Sequence, residues 1–171
     1  MTQKQDTVIK YAQKFHCNTF IETGTYMGDM VDAVKHEFKK IISIELSHSL
    51  ACGAMRKFKP FKHITILRGD SSNILKYALM YVNSPYLCWL DAHYSGGKTV
   101  RGVKDTPIME ELECIFGNSV QDEGYVILID DARCFNGESD YPTLKELEKF
   151  VLLKRPKCTF DVEGDIIRIT R

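Results

Sequence analysis

The chain has 171 residues, 44% of them hydrophobic and 27% charged, with 23 Lys and Arg against 23 Asp and Glu. A net charge of +0 argues against electrostatically driven binding to nucleic acid or a membrane surface. The length suits a single domain over residues 1–171 with a full core, and no apolar stretch is long enough to span a bilayer.

Val8, Tyr11, Ala12 and Phe15 recur at i, i+3, i+4 and i+7, which predicts a short amphipathic helix covering an edge or face of a sheet. A strand near 19–23 follows. It runs through Gly24 and Gly28 into a helix near 28–39 that carries Val31, Val34 and Phe38. Such a strand–glycine–helix turn lets a ligand approach the backbone, with helix N–H groups pointing at it. The second strand, Ile41-Ile42-Ser43-Ile44-Glu45, ends in a carboxylate about 20 residues on, where nucleotide-binding units place the acid that grips ribose hydroxyls. Ser47 is expected to cap a helix bearing Leu50, Ala54 and Phe58, which Pro60 follows. The basic cluster Arg56-Lys57-Phe58-Lys59 with Lys62 and His63 reads as the solvated end of that helix.

His63–Leu67 is the third strand, followed by Arg68-Gly69-Asp70-Ser71-Ser72; Ser71 or Ser72 is expected to cap a helix with Ile74, Leu75, Ala78 and Val82. Ser84-Pro85 breaks it. Tyr86-Leu87-Cys88-Trp89-Leu90-Asp91 reads as a central strand buried on both faces. The loop from Ala92 to about Asp105 has the length of a functional one. Thr106-Pro107 opens a helix with Ile108, Leu112 and Ile115 on one face. A fifth strand, Tyr125–Asp130, precedes a capping-box helix at Thr143-Leu144-Lys145-Glu146. Two short strands, Thr159–Val162 and Ile166–Thr170, close the chain around the turn Glu163-Gly164-Asp165. This alternation predicts an α/β fold: a Rossmann-like, doubly wound, mainly parallel sheet with helices on both faces and a C-terminal antiparallel hairpin.

The six cysteines include no C-x-x-C pair, which speaks against a zinc knuckle or a dithiol redox site. Residues Met1 to Asp6 lack a signal-peptide core, so a reducing, cytoplasmic compartment is expected.

Every predicted parallel strand ends in acid: Glu22, Glu45, Asp70, Asp91 and Asp130-Asp131. One such acid is ordinarily a cap. Five in register repel unless a donor-rich ligand or a cation compensates them.

Glu22-Thr23-Gly24-Thr25-Tyr26-Met27-Gly28-Asp29 resembles motif I of class I S-adenosylmethionine-dependent methyltransferases. The E-x-G-x-Y-x-G form is similar to that of small, metal-dependent, catechol-type O-methyltransferases. The resemblance implies that Glu22, Thr23, Gly24, Thr25, Tyr26 and Gly28 cradle the methionine end of S-adenosylmethionine. It implies that Glu45, with Leu46 beside it, holds the ribose hydroxyls, and that Gly69, Asp70 and Ser71 contact adenine. Asp91 matches the first metal acid and also borders the cofactor. Asp130 and Asp131 match an acid–amide pair, with Asp131 where asparagine is usual. Three carboxylates suit Mg²⁺ or another hard divalent cation, which would lower the pKa of an acceptor hydroxyl.

His93, two residues past Asp91, is a candidate general base or metal ligand, and Asp91 and His93 together form the expected catalytic pair. Asp130-Asp131-Ala132-Arg133-Cys134-Phe135 with Tyr141-Pro142 could wall the acceptor pocket, supplying aromatic surface and one charge. The chain departs from the family in its short segment before the first strand and in lacking the usual catalytic lysine. The loop Asp91-Ala92-His93-Tyr94-Ser95-Gly96-Gly97 also looks like that of bacterial methyltransferase-like proteins of sugar and natural-product modification. The expected acceptor is a hydroxyl of a small molecule or sugar, with a homo-oligomer as a source of missing cover. Three alternatives stay open: a nicotinamide-dependent oxidoreductase, although Gly24–Gly28 lacks G-x-G-x-x-G; a non-catalytic binding or assembly module; and a nucleic-acid methylase, which the balanced charge and the lack of an N-P-P-Y-type motif disfavour.

Overall fold

The computed structural model describes residues 1–83, 85–92, 105–118 and 124–171. Five strands run parallel: β1 (Thr19–Thr23), β2 (Lys40–Glu45), β3 (Ile64–Arg68), β4 (Tyr86–Leu90) and β5 (Tyr125–Ile129). The antiparallel hairpin β6 (Thr159–Glu163) and β7 (Ile166–Thr170) joins through β7, which pairs with β5. The order across the sheet is β3-β2-β1-β4-β5-β7-β6. The winding therefore reverses between β1 and β4, and that switch point opens a crevice at the carboxyl ends of the strands.

Helices cover both faces: α1 (Gln3–Lys14), α2 (Asp29–Val34), α3 (His48–Phe58), α4 (Ser71–Leu79), α5 (Ile108–Gly117) and α6 (Leu144–Lys154). Alternation along the strands divides the core in two. Ile21, Ile42, Ile44, Cys88 and Leu90 face Leu75, Leu112 and Leu147 of α4, α5 and α6. Phe20, Ile41, Leu87 and Trp89 face Val8, Val31 and Phe58 of α1, α2 and α3. β1, β4 and β5 are buried along their whole length, which explains the near-continuous apolar sequences of β4 and β5. Each Leu or Ile so buried stabilises the fold by about 1.5–3 kcal/mol.

Several boundaries differ from expectation for identifiable reasons. α2 stops at Val34; Phe38 is buried from the turn beyond it, so its spacing reported burial rather than helix. The cap of α4 is Asp70, whose carboxylate accepts from the Ser72 amide at 3.0 Å, while Ser71 is already helical. In the hairpin, Glu163 belongs to β6; Gly164 and Asp165 alone make the turn, both at positive φ as a type I′ turn requires. The capping box at Thr143 and Glu146 forms as expected. All six cysteines are free thiols, and Cys88 is a core residue. No helix among the described residues is long and apolar enough to cross a membrane.

Candidate functional site

β1 ends beside β4, and the loop from Thr23 to Gly28 folds into the crevice between them. Gly24 has φ +86°, and a Cβ there would lie 2.4 Å from the Asp91 carbonyl oxygen. Only glycine lets these two backbones meet. The Gly24 amide donates to the Ile44 carbonyl at 2.9 Å, tying the loop to β2. Gly28, at φ +74°, caps α2 and packs on Phe58. Lys57 donates to the Met27 and Gly28 carbonyls at 3.2 and 3.3 Å.

Glu45 is buried at the end of β2. Its carboxylate accepts from the Tyr26 amide at 2.7 Å and from the Ser47 amide at 2.8 Å. Tyr26 adopts a left-handed φ of +49°, so this bond holds a strained loop residue in place. Two bonds leave a carboxylate further acceptor capacity. Leu46, the next residue, is exposed.

Glu22 lies beneath, fully buried, and burial pushes its carboxyl well above the ordinary range. Ser43 donates to Glu22, so Thr25, 2.5 Å from Ser43, donates to Ser43. The relay fixes the loop from below.

On the adenine side of the expected site, Asp70 also accepts from the Ser72 hydroxyl at 2.7 Å, and the Gly69 amide donates to the Glu45 carbonyl at 2.9 Å. Here the structure adds a residue that the sequence reading missed. Glu111, in the first turns of α5, is buried, and desolvation raises its pKa from 4.5 to about 7. The hydroxyls of Ser71 and Thr23 temper that rise, although Glu111 Oε1 and Thr23 Oγ1 make no well-formed hydrogen bond. Glu111 lies i+3 from Ile108 and i−4 from Ile115, on the apolar stripe itself, and that spacing was the available signal.

The folded chain thus keeps a proton on Glu111 that the unfolded chain has lost between about pH 4.5 and pH 7. Stability falls as pH rises through this window. The shift corresponds to roughly 3 kcal/mol at most. Glu111→Gln is expected to melt several degrees above the wild type at pH 8 and to match it near pH 4.5. Parallel melting curves at all pH values would remove the assignment.

At the other end of the crevice, Asp91, Asp130 and Asp131 each offer a carboxylate oxygen within 4.8 Å of the others. Burial, with Asp91 adding, pushes Asp130 up to about 6 against the pull of Lys4. Asp131 sits at φ +54° and opens a 3-10 turn over Ala132–Cys134. Asn and Asp tolerate that left-handed geometry best. Lys4 of α1 contacts Asp130 at 2.6 Å and Asp131 at 3.0 Å, and Arg133 contacts Asp131 at 2.8 Å. Asp91, Asp130, Glu111, Phe135 and Tyr141 line one cleft. The two rings meet edge to face with centroids 5.2 Å apart. His93 lies outside the described residues. The other expected site residues all gather along the carboxyl edge of the sheet.

No protein-family model matches the chain, and no curated protein does. Solved structures do. The S-adenosylhomocysteine-bound methyltransferase PaMTH1 of Podospora anserina superposes with a TM-score of 0.68 at 18% identity, over 100% of this chain and 79% of that one. The O-methyltransferase TomG of Streptomyces achromogenes, involved in tomaymycin synthesis and solved with S-adenosylmethionine, gives 0.67 at 13% identity, over 99% and 79%. An O-methyltransferase of Bacillus cereus with S-adenosylhomocysteine gives 0.67 at 13% identity, over 100% and 82%. The chain shares the fold of these methyltransferases.

Proposed function

We propose that the protein is an S-adenosylmethionine-dependent methyltransferase acting on a hydroxyl of a small molecule or sugar. One observation carries this reading: the glycine loop at the switch point is locked against buried Glu45 by the Tyr26 amide, between an Asp70-capped helix and an acid-lined aromatic cleft. The likeness to cofactor-bound methyltransferases supports it.

When bound, S-adenosylmethionine supplies an electrophilic sulfonium methyl group. The Thr23–Gly28 loop holds the methionine end, and Glu45 accepts from the ribose hydroxyls. Asp70 and Ser71 border the adenine. Phe135 and Tyr141 would hold the acceptor by its apolar surface and orient its hydroxyl for transfer. Asp91, at the mouth of the cleft, would accept the hydroxyl proton; the sulfur–methyl bond of the cofactor would break as the oxygen–methyl bond forms, leaving S-adenosylhomocysteine. His93, two residues along, is the second candidate for that proton.

The donor chemistry of Asp91, Asp130 and Asp131 fits a hard divalent cation, which would stabilise the developing alkoxide. Such an ion meets the Lys4 ammonium already bound to two of the three acids.

Methyl-labelled S-adenosylmethionine is to be incubated with a panel of catechols, phenols and sugars, in Mg²⁺ and in EDTA. The expected result is label in at least one hydroxyl acceptor, with S-adenosylhomocysteine released in step. Tight NADH binding without S-adenosylmethionine binding would replace this reading with an oxidoreductase.

A further inference from the structure

We propose that Lys4 is the built-in cation of the acid cluster, and that its ammonium group holds the place between Asp130 and Asp131 that a divalent ion would otherwise take. The inference rests on reading the cluster as the acceptor end of a methyl-transfer site.

The contacts are close and multiple. Lys4 Nζ lies 2.6 Å from Asp130 Oδ1, 2.7 Å from Asp130 Oδ2 and 3.0 Å from Asp131 Oδ1. Its partners' side chains are only 5% and 11% exposed, so water does little to screen the two carboxylates. An ammonium has three donors, and these three oxygens take them.

Helix energetics alone do not explain a lysine here. Lys4 stands in the first turn of α1, where the helix dipole is positive and a cation is disfavoured. Neighbouring residues fix that turn on the site. Thr2 and Gln5 close a capping box. Gln5 also donates to the Asp29 carbonyl at 3.3 Å, just past the glycine loop. Gln3 lies against Gly164 in the β6–β7 turn. The ammonium is thus held by a helix anchored to both the cofactor loop and the C-terminal hairpin.

The chemical consequence is specific. A tethered ammonium neutralises the cluster but offers no open coordination position and little Lewis acidity. The acids can then hold and deprotonate an acceptor hydroxyl without a divalent ion, and a divalent ion must displace Lys4 to bind.

The test is calorimetric titration of MnCl₂ into the wild type, Lys4→Met and Lys4→Arg. Lys4→Met should bind one Mn²⁺ at least about tenfold more tightly than the wild type. Lys4→Arg should stay as weak as the wild type, and adding Asp130→Ala to Lys4→Met, which removes a ligand oxygen outright, should abolish the gain. A wild type that binds Mn²⁺ as tightly as Lys4→Met, or a gain that survives Asp130→Ala, would overturn the proposal. S-adenosylhomocysteine titrated into the same proteins judges the methyl-transfer reading separately: lack of binding removes that reading, while the Mn²⁺ ratio alone judges the place of Lys4.

Discussion

Gly24→Ala is expected to weaken S-adenosylhomocysteine binding about a hundredfold while leaving the secondary structure intact. Alanine at φ +86° costs about 1–2 kcal/mol from backbone strain alone. Its Cβ would also lie 2.4 Å from the Asp91 carbonyl oxygen and 2.8 Å from the carbonyl carbon. Both are backbone atoms that no rotamer change can move. Either the loop or the end of β4 must shift by about 1 Å, and a displacement of that size in a positioning element typically costs about a hundredfold. Gly53→Ala is the matched control. Gly53 lies inside α3 with nothing near its missing Cβ, so alanine there should raise stability by about 1 kcal/mol. Binding by Gly24→Ala within a fewfold of the wild type would show that the loop does not touch the ligand.

Removing the Glu45 carboxylate should have the second large effect. Glu45→Ala strands the Tyr26 and Ser47 amides, at about 1–3 kcal/mol for each donor left without a partner. It also frees Tyr26 from its left-handed φ, so the loop loses its shape as well as its anchor. The expected outcome is a melting temperature lower by several degrees and no saturable binding of S-adenosylhomocysteine. Glu45→Gln keeps one acceptor oxygen and should fall between the two in stability while still binding poorly. Thermal unfolding and calorimetry check both. Full cofactor affinity in Glu45→Ala would move the ribose elsewhere.

Most of the sheet could be read from the sequence because parallel strands buried on both faces leave unbroken apolar runs, as in Tyr86–Leu90 and Tyr125–Ile129. Gly24 and Gly28 were legible for a different reason: a loop entering a crevice needs left-handed backbone and close approach. The row of acids was visible too, but its compensation was not. Glu22 is buried and relieved by Ser43, Glu45 by two amides, Asp70 by the start of α4, and Asp130 and Asp131 by Lys4. These are separate local solutions rather than one shared counter-charge. Lys4 is 126 residues from Asp130, and no local pattern joins them; its only trace was a cation at the wrong end of a helix. The end of α2 was missed because Phe38 is buried for tertiary reasons after the helix has stopped.

The most direct test of the account is calorimetric titration of S-adenosylhomocysteine into the wild-type chain, once with Mg²⁺ and once with EDTA. The account predicts saturable one-to-one binding of similar affinity in both, because it assigns the cofactor contacts to Glu45, the glycine loop and Asp70, and the neutralisation of the acid cluster to Lys4 rather than to a metal. No binding in either buffer would contradict it and leave the crevice between β1 and β4 to a different ligand.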